Sequence, residues 1–339
     1  MNMNFLVINL KKYLFTCVFI IFTICLILFS GTNLVAARNG LALFATSVLP
    51  TLFPFFVATE LLLKTNFINI LGRFLNKFVK PIFNIPGESV IAIILGTISG
   101  YPIGAKVVCD LKREKRISKT EAERLISFTN NSGPLFILAT VGIALYNDKK
   151  IGTILLVSHI LASLSVGILF RFWKKNIPDF SNYTLSYPYK ENNEENKLIK
   201  ISEFGEILGE AIKKSILTLL NIGGFIVLFS VIISILEASG IVTNITHSLS
   251  FLGFNEEILN SFFYGFIELT NGVNLSSKYF YVYPKMSIMI TSFILGFGGI
   301  SVLLQVYSII AKEKISIKPY FYGKLLQGIL SVIYTFILI

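Results

Sequence analysis

Two pairs of interruptions inside long apolar stretches constrain this chain more than anything else in it. The first pair is Gly96-Thr97-Ile98-Ser99-Gly100-Tyr101-Pro102-Ile103-Gly104 and Thr129-Asn130-Asn131-Ser132-Gly133-Pro134. The second is Gly265-Phe266-Ile267-Glu268-Leu269-Thr270-Asn271-Gly272 and Gly296-Phe297-Gly298-Gly299-Ile300-Ser301. A lipid-exposed helix has no use for such breaks, because each backbone group freed in hydrocarbon costs several kcal/mol. Interrupted segments at corresponding places in two halves are the mark of a transporter whose solute site lies near the bilayer midplane.

Composition agrees. Of 339 residues 54% are hydrophobic and only 14% charged, with a mean hydropathy of +0.72. That describes a polytopic helical membrane protein and excludes an ordinary soluble domain. The net charge of +11 does not imply nucleic acid, because the Lys and Arg residues gather in short loops between apolar runs, as cytoplasmic loops do. Cys17, Cys25 and Cys109 show neither paired nor metal-type spacing and read as packing residues. No metal site is expected, and no cofactor.

Apolar runs long enough to span the bilayer are Tyr13–Phe29, Leu41–Leu63, Leu125–Leu145, Ile151–Phe172, Ile216–Leu236, Met286–Ile310 and Tyr322–Ile339. The first follows Lys11-Lys12 and reads as a retained helix rather than a signal peptide, since the chain stays membranous afterwards. Basic residues set the orientation, with a cytoplasmic N-terminus. Lys112, Arg113, Lys115, Arg116, Lys119 and Arg124 fill one loop; Arg171, Lys174 and Lys175 begin another; Lys312, Lys314, Lys318 and Lys324 make a third. Arg73, Lys77 and Lys80 join them if Ser89–Val108 enters from the cytoplasm and returns as a re-entrant hairpin. Ile258–Leu275 is then a hairpin from the opposite side, and the two halves have inverted topology. The repeat spacing fits: Glu88 to Gly96 and Glu257 to Gly265 are both eight residues. A rival self-alignment, pairing Gly100 to Gly104 with Gly296 to Gly299, would make the repeats parallel. The expected fold is therefore all-α, with an N-terminal helix (1–39), a first repeat (40–175), a polar cytoplasmic linker (176–203) and a second repeat (204–339). Asn66–Ile85 reads as an amphipathic helix lying on the cytoplasmic face.

The chemistry-bearing residues cluster at the breaks. Asn130, Asn131, Ser132 and Gly133 bring two amides and a hydroxyl to a helix broken before Pro134, whose downstream N-terminal end attracts a carboxylate. Ser99, Gly100, Tyr101, Pro102 and Gly104 offer backbone donors, a hydroxyl and a phenol at the first hairpin tip. Lys106, just beyond, either attracts an anion or snorkels to the interface. Glu268, Thr270 and Asn271 sit in the second hairpin. A carboxylate there binds solute, couples transport to a proton or sodium ion, or bonds structurally to the opposite broken helix. Gly298, Gly299 and Ser301 take the matching part at the last break, or serve close helix packing. His159 reads as a proton relay or as bonded to a neighbouring helix. Trp173, Tyr279, Tyr281 and Tyr283 resemble interfacial belt residues. No phosphate-binding loop and no nucleophile–base pair is visible, so neither ATP-driven transport nor an enzyme is expected.

Through Ser99–Lys106, Glu121–Leu125, Phe128–Phe136, Glu268–Gly272 and Gly296–Val302, the chain resembles the YlbJ family of sporulation integral membrane proteins (stage V sporulation protein V), in the nucleoside-recognition or Gate group. The resemblance runs from about residue 45 to the C-terminus. It implies a fold similar to concentrative nucleoside transporters. It also implies a role in the mother cell of a spore-forming bacterium, moving dipicolinic acid across the outer forespore membrane. The residues alone suit a nucleoside or nucleobase equally well, and a homo-oligomer is expected by analogy only. A non-transporting membrane scaffold for the spore envelope is the alternative of another class.

Overall fold

The computed structural model describes residues 3–63, 67–174, 201–250, 253 and 255–339. The expected linker lies almost wholly outside them. Among the described residues every regular element is helical. Five stretches are long and apolar enough to cross a bilayer: Ser30–Ala58, Lys149–Phe170, Phe204–Ala238, Pro284–Glu313 and Lys318–Leu338. Lys77–Phe83 and Gly87–Ile98 together make a sixth, bent by 95°. The chain is a polytopic all-α membrane protein.

Helix α1 (Met3–Leu28) exposes a continuous apolar surface, with Phe19 and Leu28 among its open side chains. Such exposure is unfavourable in water and neutral against lipid tails. Helices α2 (Ser30–Leu43) and α3 (Leu49–Leu63) follow, joined by the π-helical turn Phe44–Val48. Helix α4 (Phe67–Phe83) is amphipathic, burying Val79 and Phe83 while Lys77 and Lys80 stay exposed.

The first hairpin is α5 (Val90–Ile98) and α6 (Ile103–Arg113). Next comes α7 (Lys119–Thr129), opened by a capping box between Ser118 and Glu121. It stops at Asn130, and the chain resumes as the π-helical segment Phe136–Leu145, then α8 (Lys149–Phe170). After α9 (Ile201–Ala238) and the short α10 (Ile241–Ser250), the order recurs. A second hairpin, α11 (Glu256–Ile267) and α12 (Leu269–Lys278), precedes α13 (Pro284–Phe297), which breaks at Gly298 into α14 (Gly299–Ile310). Helix α15 (Lys318–Leu338) ends the chain.

The hairpins exchange partners. Val108 and Leu111 of α6 are buried in one core with Val302, Val306 and Ile310 of α14. Leu269 and Val273 of α12 are buried in another with Phe136, Ile137 and Val141 of the first half's broken helix. Each hairpin thus packs on the broken helix of the other half, which carries all four interruptions into the interior. Each is also closed by glycines. A Cβ on Gly96 would overlap the Thr129 carbonyl oxygen, and one on Gly104 would meet that same oxygen and the Asn130 Cα. A Cβ on Gly272 would overlap the Gly265 backbone.

Candidate functional site

The first broken helix is held open by its own amides. Asn130 has an extended backbone (φ −100°, ψ 95°). Its Oδ1 accepts from the Ala105 amide at 3.2 Å, one of the orphan donors at the start of α6. Its Nδ2 donates to the Tyr320 hydroxyl at 3.3 Å. The Asn131 amide donates to the Gly96 carbonyl near the end of α5, at 3.3 Å. Asn131 Nδ2 donates to the Phe128 carbonyl (2.7 Å) and to Ser163 Oγ of α8 (3.0 Å). Ser132 Oγ donates to the Leu295 carbonyl of α13 at 3.4 Å. Freed backbone groups at this break are answered by side chains and by the backbone of α5, as hydrocarbon requires.

The first hairpin tip lies on this break. Gly100 turns through φ 78°, and a Cβ there would stand 2.8 Å from the Gly133 nitrogen. The Ser99 hydroxyl is buried without a partner. Gly104 packs closely against the Thr129 carbonyl and Asn130. The Tyr101–Pro102 bond is cis. Tyr101 reaches the last break, where a Cβ on Gly298 would stand 3.0 Å from its hydroxyl oxygen. Gly298 has φ 87°, a conformation that side chains disfavour.

In the second hairpin Glu268 sits between α11 and α12 and is 3% exposed. Its Oε2 accepts from the Asn271 amide (2.7 Å) and from Asn271 Nδ2 (2.9 Å), so it caps α12, where the helix dipole favours a carboxylate. Asn271 Nδ2 also donates to Ser230 Oγ of α9, at 2.9 Å. The alternative of a structural bond from Glu268 to the opposite broken helix is not found among the described residues; its carboxylate bonds Asn271 instead. Thr270 is buried beside it. Gly299 packs on the hairpin turn, where a Cβ would stand 3.1 Å from the Gly265 carbonyl oxygen and 3.2 Å from that of Ile267. Ser301 is buried with an unpartnered hydroxyl.

The largest departure from the sequence reading is Lys324. Counted there with a cytoplasmic loop, it is 0% exposed in the second turn of α15. Its Nζ donates to Gln327 Oε1 at 2.7 Å and to Asn131 Oδ1 at 3.3 Å. It also stands 5.3 Å above the centre of the Tyr101 ring. Gln327 Nε2 donates to Asn131 Oδ1 at 2.9 Å and lies 3.4 Å from His159 Nε2 of α8. His159 is thus bonded to a neighbouring helix. Lys106, by contrast, is exposed. A lysine enclosed within a membrane segment is costly and is a functional-site candidate by default. One signal for it was present in the sequence. Lys324, Gln327, Ser331 and Thr335 recur at three- and four-residue intervals, and all are fully buried on one stripe of α15.

Two cavities flank the breaks. One, about 280 Å³, is bordered by Thr97, Asn131, Ser132, His159 and Ser163 together with isoleucine and leucine side chains of α5 and α8. The other, about 860 Å³, lies between α2, α9 and the second hairpin and reaches Ser230, Asn271 and Asn274. Other polar residues serve structure. Trp173 Nε1 and Lys174 Nζ both bind Glu123 Oε2, at 3.0 and 2.7 Å. Lys112 donates to the Glu313 carbonyl at 2.7 Å, and Arg113 pairs with the Glu313 carboxylate at 2.8 Å.

Comparison with known proteins gives a consistent result. The family model described as "Gate: Nucleoside recognition" matches residues 45–166, from the π-helical turn before α3 into α8. The sporulation integral membrane protein YlbJ of Bacillus subtilis (strain 168) is 32% identical over 343 residues, covering 97% of this chain and 84% of the relative. No solved structure matches the chain.

Proposed function

This chain belongs to the YlbJ family of sporulation integral membrane proteins, and from that premise we propose that it is a carrier of a small anionic solute. The solute we propose is dipicolinic acid, moved from the mother cell across the outer forespore membrane. The observation that carries the reading is the meeting of four helix breaks in the protein interior. Tyr101 of the first tip lies against Gly298, Gly100 against Gly133, and the turn at Glu268 against Gly299. Such breaks are expensive in a membrane unless they are buried in protein or line a water-filled cavity, and breaks at corresponding places in two halves mark a transporter's binding site. The site comprises the tip Ser99–Gly104, the break Asn130–Gly133, and Glu268, Thr270, Asn271, Gly298, Gly299 and Ser301 from the second half. The two halves form an inverted repeat that alternates access around this site. Glu268, already serving as a cap, is the candidate for coupling to a proton or sodium ion.

A second reading is favoured by the nucleoside-recognition model over residues 45–166: transport of a nucleoside or nucleobase, whose edges suit Asn130, Asn131 and Ser132.

The test is uptake of radiolabelled dipicolinate or nucleosides into proteoliposomes, with and without a proton or sodium gradient. Saturable dipicolinate uptake is expected, falling by more than about thirtyfold in Asn131→Ala, which strips a buried cluster of its shared acceptor. Nucleoside uptake alone would establish the second reading. No uptake of either by folded protein would favour a membrane scaffold of the spore envelope.

A further inference from the structure

Lys324 is fully buried, yet among the described residues no carboxylate forms an ion pair with it. Its polar partners are the neutral oxygens of Asn131 and Gln327, and the Tyr101 ring face is the third contact. A tie between α15 and α7 needs no charge: Gln327 Nε2 already makes one to Asn131 Oδ1. Buried cations are normally paired, because an uncompensated charge in a low-dielectric interior is costly. A carboxylate is the partner that best offsets a charge on such a lysine.

A second, independent feature adjoins it. Asn131, which holds Lys324, also borders the cavity of about 280 Å³. His159 borders it too, 2% exposed and with an Nδ1 that has no hydrogen-bond partner among the described residues. The remaining wall combines the hydroxyl side chains of Thr97, Ser132 and Ser163 with apolar isoleucines and leucines. A few polar groups thus line an otherwise apolar space, which suits a small molecule with an apolar body and an acidic end.

We propose that Lys324 selects the solute for its carboxylate. Asn131 Oδ1 and Gln327 Oε1 hold the lysine's ammonium in place, and an entering carboxylate oxygen replaces one of them. The apolar body of the solute then occupies the cavity beside His159. This rests on the carrier reading above and narrows it, making the site discriminate by charge rather than by ring shape. A neutral molecule of the same outline would leave the lysine with neutral partners and gain nothing from it.

The test is equilibrium binding to the purified full-length chain in detergent, comparing dipicolinate with its neutral diamide, pyridine-2,6-dicarboxamide. Wild-type protein is expected to prefer the diacid by more than about tenfold, one decade of affinity. Lys324→Gln should lose that preference while keeping its affinity for the diamide. Lys324→Arg should retain part of it, and Lys106→Gln all of it. Equal binding of diacid and diamide by wild type, or an undiminished preference in Lys324→Gln, overturns the inference and leaves the carrier reading standing. Should Lys324→Gln fail to fold, the wild-type comparison still decides. Wild-type protein that binds neither compound overturns both.

Discussion

The two halves solve the same problem with different chemistry. At the first half's broken helix the freed backbone is answered by side-chain amides, Asn130 bonding α6 and α15 while Asn131 bonds α5, α8 and α15. A buried lysine from α15 completes that centre. In the second half the turn is held by a carboxylate that caps its own helix, and the last break is glycine backbone alone. Amides bridge because each both donates and accepts. A carboxylate only accepts, so Glu268 is satisfied by the donors at a helix N-terminus. A broken-helix motif therefore does not dictate what its break does. The first break is held by amides that reach α6, α8 and α15; the second half relies on a carboxylate cap and on glycine backbone.

The hairpins differ in the same sense, and this gives the largest expected effect. Gly96 faces the Thr129 carbonyl, a backbone atom at the broken helix that has no rotamer to change. Gly96→Ala should lower stability by about 3 kcal/mol or more, measured as the lowest thermal midpoint of the variants in detergent. A midpoint equal to wild type would show that the first hairpin is not locked against the break.

Glu268→Gln comes next. The amide oxygen of glutamine can still accept from Asn271, so the turn is kept and only the charge is lost. Exchange of dipicolinate across proteoliposomes should persist while gradient-driven accumulation disappears. Accumulation at the wild-type level would reduce Glu268 to a cap and sharpen the contrast between the halves.

The smallest effect is expected at Gly265, whose new Cβ would press on the Ile294 side chain rather than on backbone. Ile294 is stiff and fully buried but is side chain rather than backbone, so Gly265→Ala should cost about 2 kcal/mol, less than Gly96→Ala. Gly265→Ala combined with Ile294→Val should recover part of that in thermal unfolding. A loss as large as that of Gly96→Ala would erase the difference between the hairpins.

The sequence by itself determined the membrane class and the places where helices stop. Both are written locally: a run of apolar side chains, and a proline or glycine that interrupts it. Of the seven apolar runs expected to span, Leu125–Leu145 is instead broken at Asn130, and Tyr13–Phe29 is not among the five spans. The tertiary structure alone decided which breaks meet and what stands between them. Lys324 is the clearest instance. Its neighbours Lys312, Lys314 and Lys318 made it one more loop cation, and only the stripe with Gln327, Ser331 and Thr335 hinted otherwise. Its partner Asn131 is 193 residues away along the chain. Whether a lysine near a helix end snorkels to water or is enclosed depends on what packs around it. That was settled by α15 lying against α7 so closely that Gly323 meets the Ser127 backbone, a contact no local pattern encodes.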